Sequence, residues 1–265
     1  GESNVGQAPS YDCQFPAMIA DWRANLPGLS TFGFVQIAGY TGYGVGPAAA
    51  DLRQAQLSPL RSLPKIALST SIDLVLPWSA ADDIHPTNKQ GVSSRLSAQV
   101  LNLEYGAAAT VVFPAYAGAA ASPATGAAVA VAVALTGCGT GCSVTPQVIP
   151  DGVPANVTDG FAVQTDDTAA TWWNATATPT ADGAGLLLTA AVSAAGMRPV
   201  ATRYGRAAWP LVTAFNPSGL PVLPWCVTLA GVVCYDVPEA AGAAAGALGV
   251  GALPAAAVDA GAYQF

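Results

Sequence analysis

The chain has 265 residues, a formal net charge of −7 and 9% charged side chains, against roughly a quarter in ordinary soluble proteins. That length suffices for one large domain or two modest ones around a buried core. The acid excess opposes phosphate backbones and anionic membrane surfaces, so nucleic acid is not expected as a partner. The first residue is Gly1, and no basic segment with an apolar core opens the chain, which reads as a processed product or a fragment. No charge occurs between Glu104 and Asp151. That interval is broken by Pro114, Pro123 and several glycines, and its most apolar part alternates as Val129, Val131, Val133 and Leu135. A period of two marks a strand, and the run is shorter than the ~20 residues of a spanning helix, so no membrane span is expected.

In chain order, Phe15, Met18, Ile19 and Trp22 fall on one helical face, and the helix ends near Asn25-Leu26-Pro27. The run Phe32 to Ala38 suits a strand buried on both faces. After glycines 42, 44 and 46, a short helix is predicted from Ala48 to Leu57. A second strand follows from Lys65 to Leu74, with Ile66, Leu68 and Ile72 on one face. A loop carrying Pro77 and Trp78 leads to Asp82 and His85. Pro86 fixes φ where a helix can begin, and Val92, Leu96, Val100 and Leu103 recur at helical spacing to about Tyr105. Helix, strand, helix, strand, helix predicts an α/β arrangement with a parallel sheet over residues 1–106. From Ala107 the pattern changes to short strands at Thr110 to Phe113, Val129 to Leu135, Phe161 to Gln164, Leu186 to Val192, Val200 to Tyr204 and Leu220 to Leu229. Residues 107–238 thus read as a second, β-rich, sandwich-like domain. The Ala/Gly-rich tail, 239–265, lacks large apolar residues to bury and reads as disordered.

The sequence holds one histidine, His85, so general acid–base work by an imidazole near neutral pH falls to it. Asp82, three residues earlier, is close enough to accept from one ring nitrogen and leave the other to a substrate. In parallel sheets the working residues sit on loops beyond the carboxyl ends of strands, where His85 is predicted. Of the five cysteines, Cys138 and Cys142 share a Gly-rich loop, and Cys226 and Cys234 flank a short turn as a hairpin staple does. Cys13 is left over. No paired C-x-x-C units support zinc. Asn156-Val157-Thr158 and Asn174-Ala175-Thr176 are N-glycosylation sequons; with possible disulfides they favour a secreted or lumenal setting, lysosomal or extracellular.

Two stretches carry a resemblance: Gly1-Glu2-Ser3-Asn4 with Tyr11 and Phe15-Pro16-Ala17-Met18-Ile19-Ala20-Asp21-Trp22-Arg23, and Asp82-Asp83-Ile84-His85-Pro86-Thr87-Asn88-Lys89-Gln90. They resemble the sialate O-acetylesterase family of SGNH (GDSL-like) hydrolases. Phe34 to Ala38, Leu52-Arg53-Gln54-Ala55-Gln56, Arg203-Tyr204 and Phe215-Asn216-Pro217-Ser218-Gly219-Leu220-Pro221 agree with it in order. The resemblance implies a three-layer α/β/α domain with a parallel sheet and a serine carboxylesterase that removes O-acetyl groups from sugars, sialic acids among them. It implies no metal or organic cofactor. Carried over by position, His85 matches the general base and Asp82 the aspartate that orients it, with Asp83 as the alternative. Asn4 matches the oxyanion-hole asparagine. The Gly-Gln-Ser-Asn type block that bears the nucleophile is not found. Ser3 belongs to the asparagine block, and the chain therefore reads as a C-terminal portion, inactive in isolation. A different class of function, a catalytically inactive glycan-binding or structural protein, is suggested by that gap and by Trp172-Trp173, of which adjacent strand positions expose at most one. Glu2 reads as a structural neighbour of the site, and Arg53 as an arginine packing its stem along a helix.

Overall fold

The computed structural model describes residues 1–44, 46–75, 84–108, 111–145 and 160–235. Asp82, Asp83, the Asn156 sequon and the 239–265 tail lie outside them. Helix α1 (Ala8–Asn25) buries Phe15 and Ile19, the expected face. Strands β1 (Phe32–Gln36) and β2 (Ile66–Thr70) form a two-stranded parallel sheet in the register Phe32↔Ile66 to Gln36↔Thr70. Phe15 and Ile19 pack on Phe34, Ile66 and Leu68 from one side. Each such side chain, fully buried, contributes about 1.5–3 kcal/mol. Between the strands lie α2 (Ala48–Ala55) and α3 (Ser58–Ser62), two short helices where one was expected. Helix α4 (Lys89–Tyr105) crosses the other face, with Leu96 and Val100 3.4 and 3.6 Å from where a Cβ on Gly33 would lie.

β1 is not buried on both faces as predicted. The cover over Gly33 does not extend to Val35, which is 41% exposed. β2 is buried throughout. Its edge away from β1 is closed by a side chain: the Leu68 N–H donates to Gln99 Oε1 at 2.8 Å, and Gln99 Nε2 donates back to the Leu68 carbonyl at 2.6 Å. One carboxamide thus supplies the donor and acceptor that a further strand would otherwise offer.

The remainder is mostly antiparallel. β3 (Ala115–Ser122), β4 (Ala128–Thr136), β6 (Phe161–Thr165), β7 (Trp172–Pro179), β8 (Gly185–Ala191), β9 (Pro199–Tyr204) and β11 (Trp225–Thr228) form a seven-stranded sheet in the order β11-β9-β6-β7-β8-β4-β3. A two-stranded pair joins β5 (Ser143–Val144) to β10 (Ala214–Phe215). β7 divides its partners: Trp172 to Ala175 pair with β6, and Thr176 to Pro179 pair with β8. A strand that changes partners half-way turns the sheet back on itself. Val129, Val131, Val133, Leu186 and Leu188 from one half accordingly share a core with Phe161, Val163, Tyr204 and Trp225 from the other. The chain is therefore a mixed α/β protein.

Four strands fall where the sequence predicted none, β3, β5, β7 and β10, while Val111 to Phe113 form no strand and the Leu220 to Leu229 run pairs as β11 only from Trp225 to Thr228. Pro114, Pro221 and Pro224 remove ladder donors at the places where the expectation failed. Cys138 and Cys142 form a disulfide. Cys226 and Cys234 are not bridged; their hairpin is closed by backbone instead, Cys234 N–H donating to the Cys226 carbonyl at 2.9 Å. No described helix is long and apolar enough to cross a membrane.

Candidate functional site

The site is framed by the carboxyl ends of β1 and β2, which the parallel register brings side by side. A buried polar chain ties them together. Ile72 N–H donates to Thr70 Oγ1 at 3.3 Å, Thr70 Oγ1 donates to Gln36 Oε1 at 3.0 Å, and Gln36 Nε2 donates to the Arg53 carbonyl of α2 at 3.0 Å. Every group in it is held by a neighbour, the condition for a polar chain to stiffen a core.

Arg53 itself is fully buried. Its guanidinium donates to the carbonyls of Ala38, at 3.1 Å, and of Ala207 and Ala208. Burial, then the like charge of Arg206, pulls it down to about 9, still cationic at neutral pH. Arg206 pairs in turn with Asp51 of α2. The loop after β1 is thereby bound to the segment 206–210 of the β-rich part, and Tyr40 N–H adds a bond to the Ala208 carbonyl at 3.1 Å. Gly39 is required here: a Cβ would lie 2.6 Å from Trp209 Cδ1. Trp209 packs with Ala38 and Val75. It also lines, with Asp73, Pro210 and Phe215, a small cavity beside the turn that follows β2.

Asn4 closes a short 3₁₀ turn, Glu2–Asn4. The next residue, Val5, packs against Ile37, Ala49 and Leu52, which sets Asn4 beside the carboxyl end of β1. The Gly1 nitrogen donates to Asn4 Oδ1 at 3.1 Å, and Asn4 Nδ2 donates to Gln7 Oε1 at 3.3 Å. One hydrogen of the amide is thus held and the other is left for a ligand. Ser3 and Glu2 are exposed.

His85 is exposed, on the connection from the carboxyl end of β2 to α4. Its place is set from the helix side. Pro86 is buried, but it does not begin the helix as predicted. Asn88 does, its Oδ1 accepting from Gly91 N–H at 2.8 Å, because a side-chain acceptor at the N-cap satisfies a donor that proline at that place cannot. Beyond the cap, Ser69 Oγ donates to the Val92 carbonyl at 3.0 Å. Arg95 forks onto Asp73 at 2.8 and 2.6 Å and donates to the Thr70 carbonyl at 3.0 Å. The first turns of α4 are therefore fastened to the end of β2.

Asn4 lies before α1, next to Val5 at the end of β1, and His85 lies on the connection from β2 to α4. No hydrogen bond joins them among the described residues. Asp82 and Asp83 lie outside those residues, so neither is located. Arg53 is buried by more than its stem: the head group itself is used, internally. Sequence reasoning missed Gln7, Arg95, Gln99 and Trp209. Asn88 stood inside the Asp82 to Gln90 motif, and an Asn before an apolar-periodic run is a cap signal. Among the described residues no three His, Cys, Asp or Glu side chains gather as metal ligands do.

No protein-family model matches the chain. Two curated proteins do over 125 residues: the sialate O-acetylesterases of Mus musculus, 31% identical, and Rattus norvegicus, 30% identical, with 40% of this chain and 22% of either relative covered. Among solved structures, a carbohydrate acetylesterase from Xanthomonas citri superposes with a TM-score of 0.66 at 29% identity, over 86% of this chain and 48% of the other. The chain is sialate O-acetylesterase-like. It spans about a fifth of the length of the curated relatives it matches and about half of the solved one. The structural overlap at 86% of this chain takes in both the parallel-sheet part and most of the β-rich part of this sialate O-acetylesterase-like chain.

Proposed function

We propose that this chain is the histidine- and asparagine-bearing part of a serine carboxylesterase that removes O-acetyl groups from sugars, sialic acids among them, within an SGNH-type α/β/α layering. A serine from outside residues 1–265 attacks the acetyl carbonyl. His85 takes its proton and passes it to the leaving sugar hydroxyl, and Asp82 holds the imidazole. Asn4 Nδ2 donates to the oxyanion of the tetrahedral intermediate, a role typically worth ~3 kcal/mol. Water then releases acetate from the serine by the same proton route. The observation that carries this reading is a parallel pair with Val5 packed at the end of β1 and His85 on the connection that leaves β2, in a chain similar to a carbohydrate acetylesterase over 86% of its length. The Cys138–Cys142 disulfide supports a secreted or lumenal setting.

The test is hydrolysis of p-nitrophenyl acetate and of O-acetylated sialic acid by the chain alone and by a protein that joins it to a serine-bearing segment. Turnover by the joined protein alone, abolished by His85→Ala, is the expected result. A joined protein that folds and stays inert, or one that keeps its rate with His85→Ala, overturns the reading.

A further inference from the structure

Trp172, Asn174 and Thr176 occupy alternate positions of β7 and so share one face of it. Asn174 and Thr176 are exposed, and Trp172 is half-buried. Trp173 points the other way, packs on the β core and donates its indole N–H to Thr165 Oγ1 at 2.9 Å. The Arg203 guanidinium lies 4.5 Å from the centre of the Trp172 ring. The register Arg203↔Ala162↔Asn174 puts all of these side chains on the same patch. A cation over an aromatic face fixes the indole's orientation.

Asn174-Ala175-Thr176 satisfies the acceptor rule for N-linked transfer, with the aromatic residue two positions upstream on the same face. We propose that Asn174 is an N-glycosylation site and that its first N-acetylglucosamine lays its apolar C–H face against Trp172. The donor is a lipid-linked oligosaccharide. A bond forms between Asn174 Nδ2 and sugar C1, the bond from C1 to the diphosphate oxygen breaks, the lipid diphosphate leaves, and the displaced amide proton passes to a base of the transferase. Transfer precedes folding, and the fold then leaves the glycan on an outward face where nothing must move to admit it. The Cys138–Cys142 disulfide belongs to the same oxidising compartment as the transferase. A chain with 9% charged residues also gains the solubility that a glycan supplies.

The test is translation of the full chain behind a secretion signal in the presence of microsomes, where modification can be read whether or not the product folds, followed by peptide mapping. The Asn174 peptide carries a glycan that peptide N-glycosidase removes, and both N174Q and T176A abolish it. Asn174 recovered unmodified overturns the site. On chain secreted from a eukaryotic host, deglycosylation lowers Tm by about 2–4 °C and leaves W172A unaffected. An unchanged Tm, or an equal drop in W172A, overturns the packing on Trp172.

Discussion

An oxyanion donor is useful only if it is aimed before the charge develops. In the proposed role Asn4 is held by two weak bonds rather than one strong one. Gln7 accepts from its nitrogen and the Gly1 nitrogen donates to its oxygen, so the amide has one orientation in which both are kept. In an esterase that carries this chain, Asn4→Ala lowers kcat by about 10²–10³-fold with KM little changed. Gln7→Ala gives a smaller fall in the same parameter, because it removes the orientation and leaves the donor. Steady-state kinetics on both variants checks this, and an unaltered kcat for Asn4→Ala removes Asn4 from the site.

At the scale of elements, α4 holds the histidine loop. The Arg95–Asp73 pair is largely buried, with side-chain exposures of 12% and 9%. Replacing Arg95 by Met strands the Asp73 carboxylate and should cost about 3–5 kcal/mol, read from the urea midpoint. The same variant loses the Thr70 carbonyl contact that pins the helix start. Little of this was legible in the chain itself. The helical faces of α1 and α4 and the strands β1 and β2 were, since apolar residues recur there at periods set by the backbone alone. β3 was not: Ala115-Tyr116-Ala117-Gly118-Ala119-Ala120-Ala121-Ser122 has small side chains and weak strand preference, and it is a strand because β4 pairs with it. The His85 motif could be read because its parts are neighbours in sequence. Arg95, Gln99 and Trp209 could not, since each acts on a partner between 22 and about 170 residues away.

At the scale of the whole molecule, burial raises four tyrosines among the described residues, Tyr11, Tyr204, Tyr235 and Tyr116, the last to about 12. For Tyr235 the Asp12 carboxylate, 2.8 Å from its hydroxyl, adds to the effect. A raised tyrosine keeps its proton in the fold while the unfolded chain releases it, so the stability is present in full below an unfolded pKa of 10.0 and is lost as pH climbs from there toward 12. Arg53 opposes this, since the cost of its buried charge eases above about 9, but it is one group against four. The urea midpoint should therefore fall between about pH 10 and pH 12, with tyrosinate absorbance from the four appearing together with the loss of circular dichroism. Independent, gradual ionisation of all eight tyrosines would contradict it. A second expectation concerns β1, which no described strand pairs with on its outer side and whose Val35 is 41% exposed. Unpaired edges seek strands, so the chain alone should self-associate as its concentration rises, and Val35→Lys should shift light scattering back toward the monomer.

The carboxamide of Gln99 has a directional consequence. Because it occupies the hydrogen-bonding groups of Leu68 on the far side of β2, the parallel sheet can grow one way only. A strand that extends this sheet must enter beside β1, along the edge that carries Val35. The sheet is in this sense one-sided: one flank is stoppered by its own helix, and only the other can accept a strand.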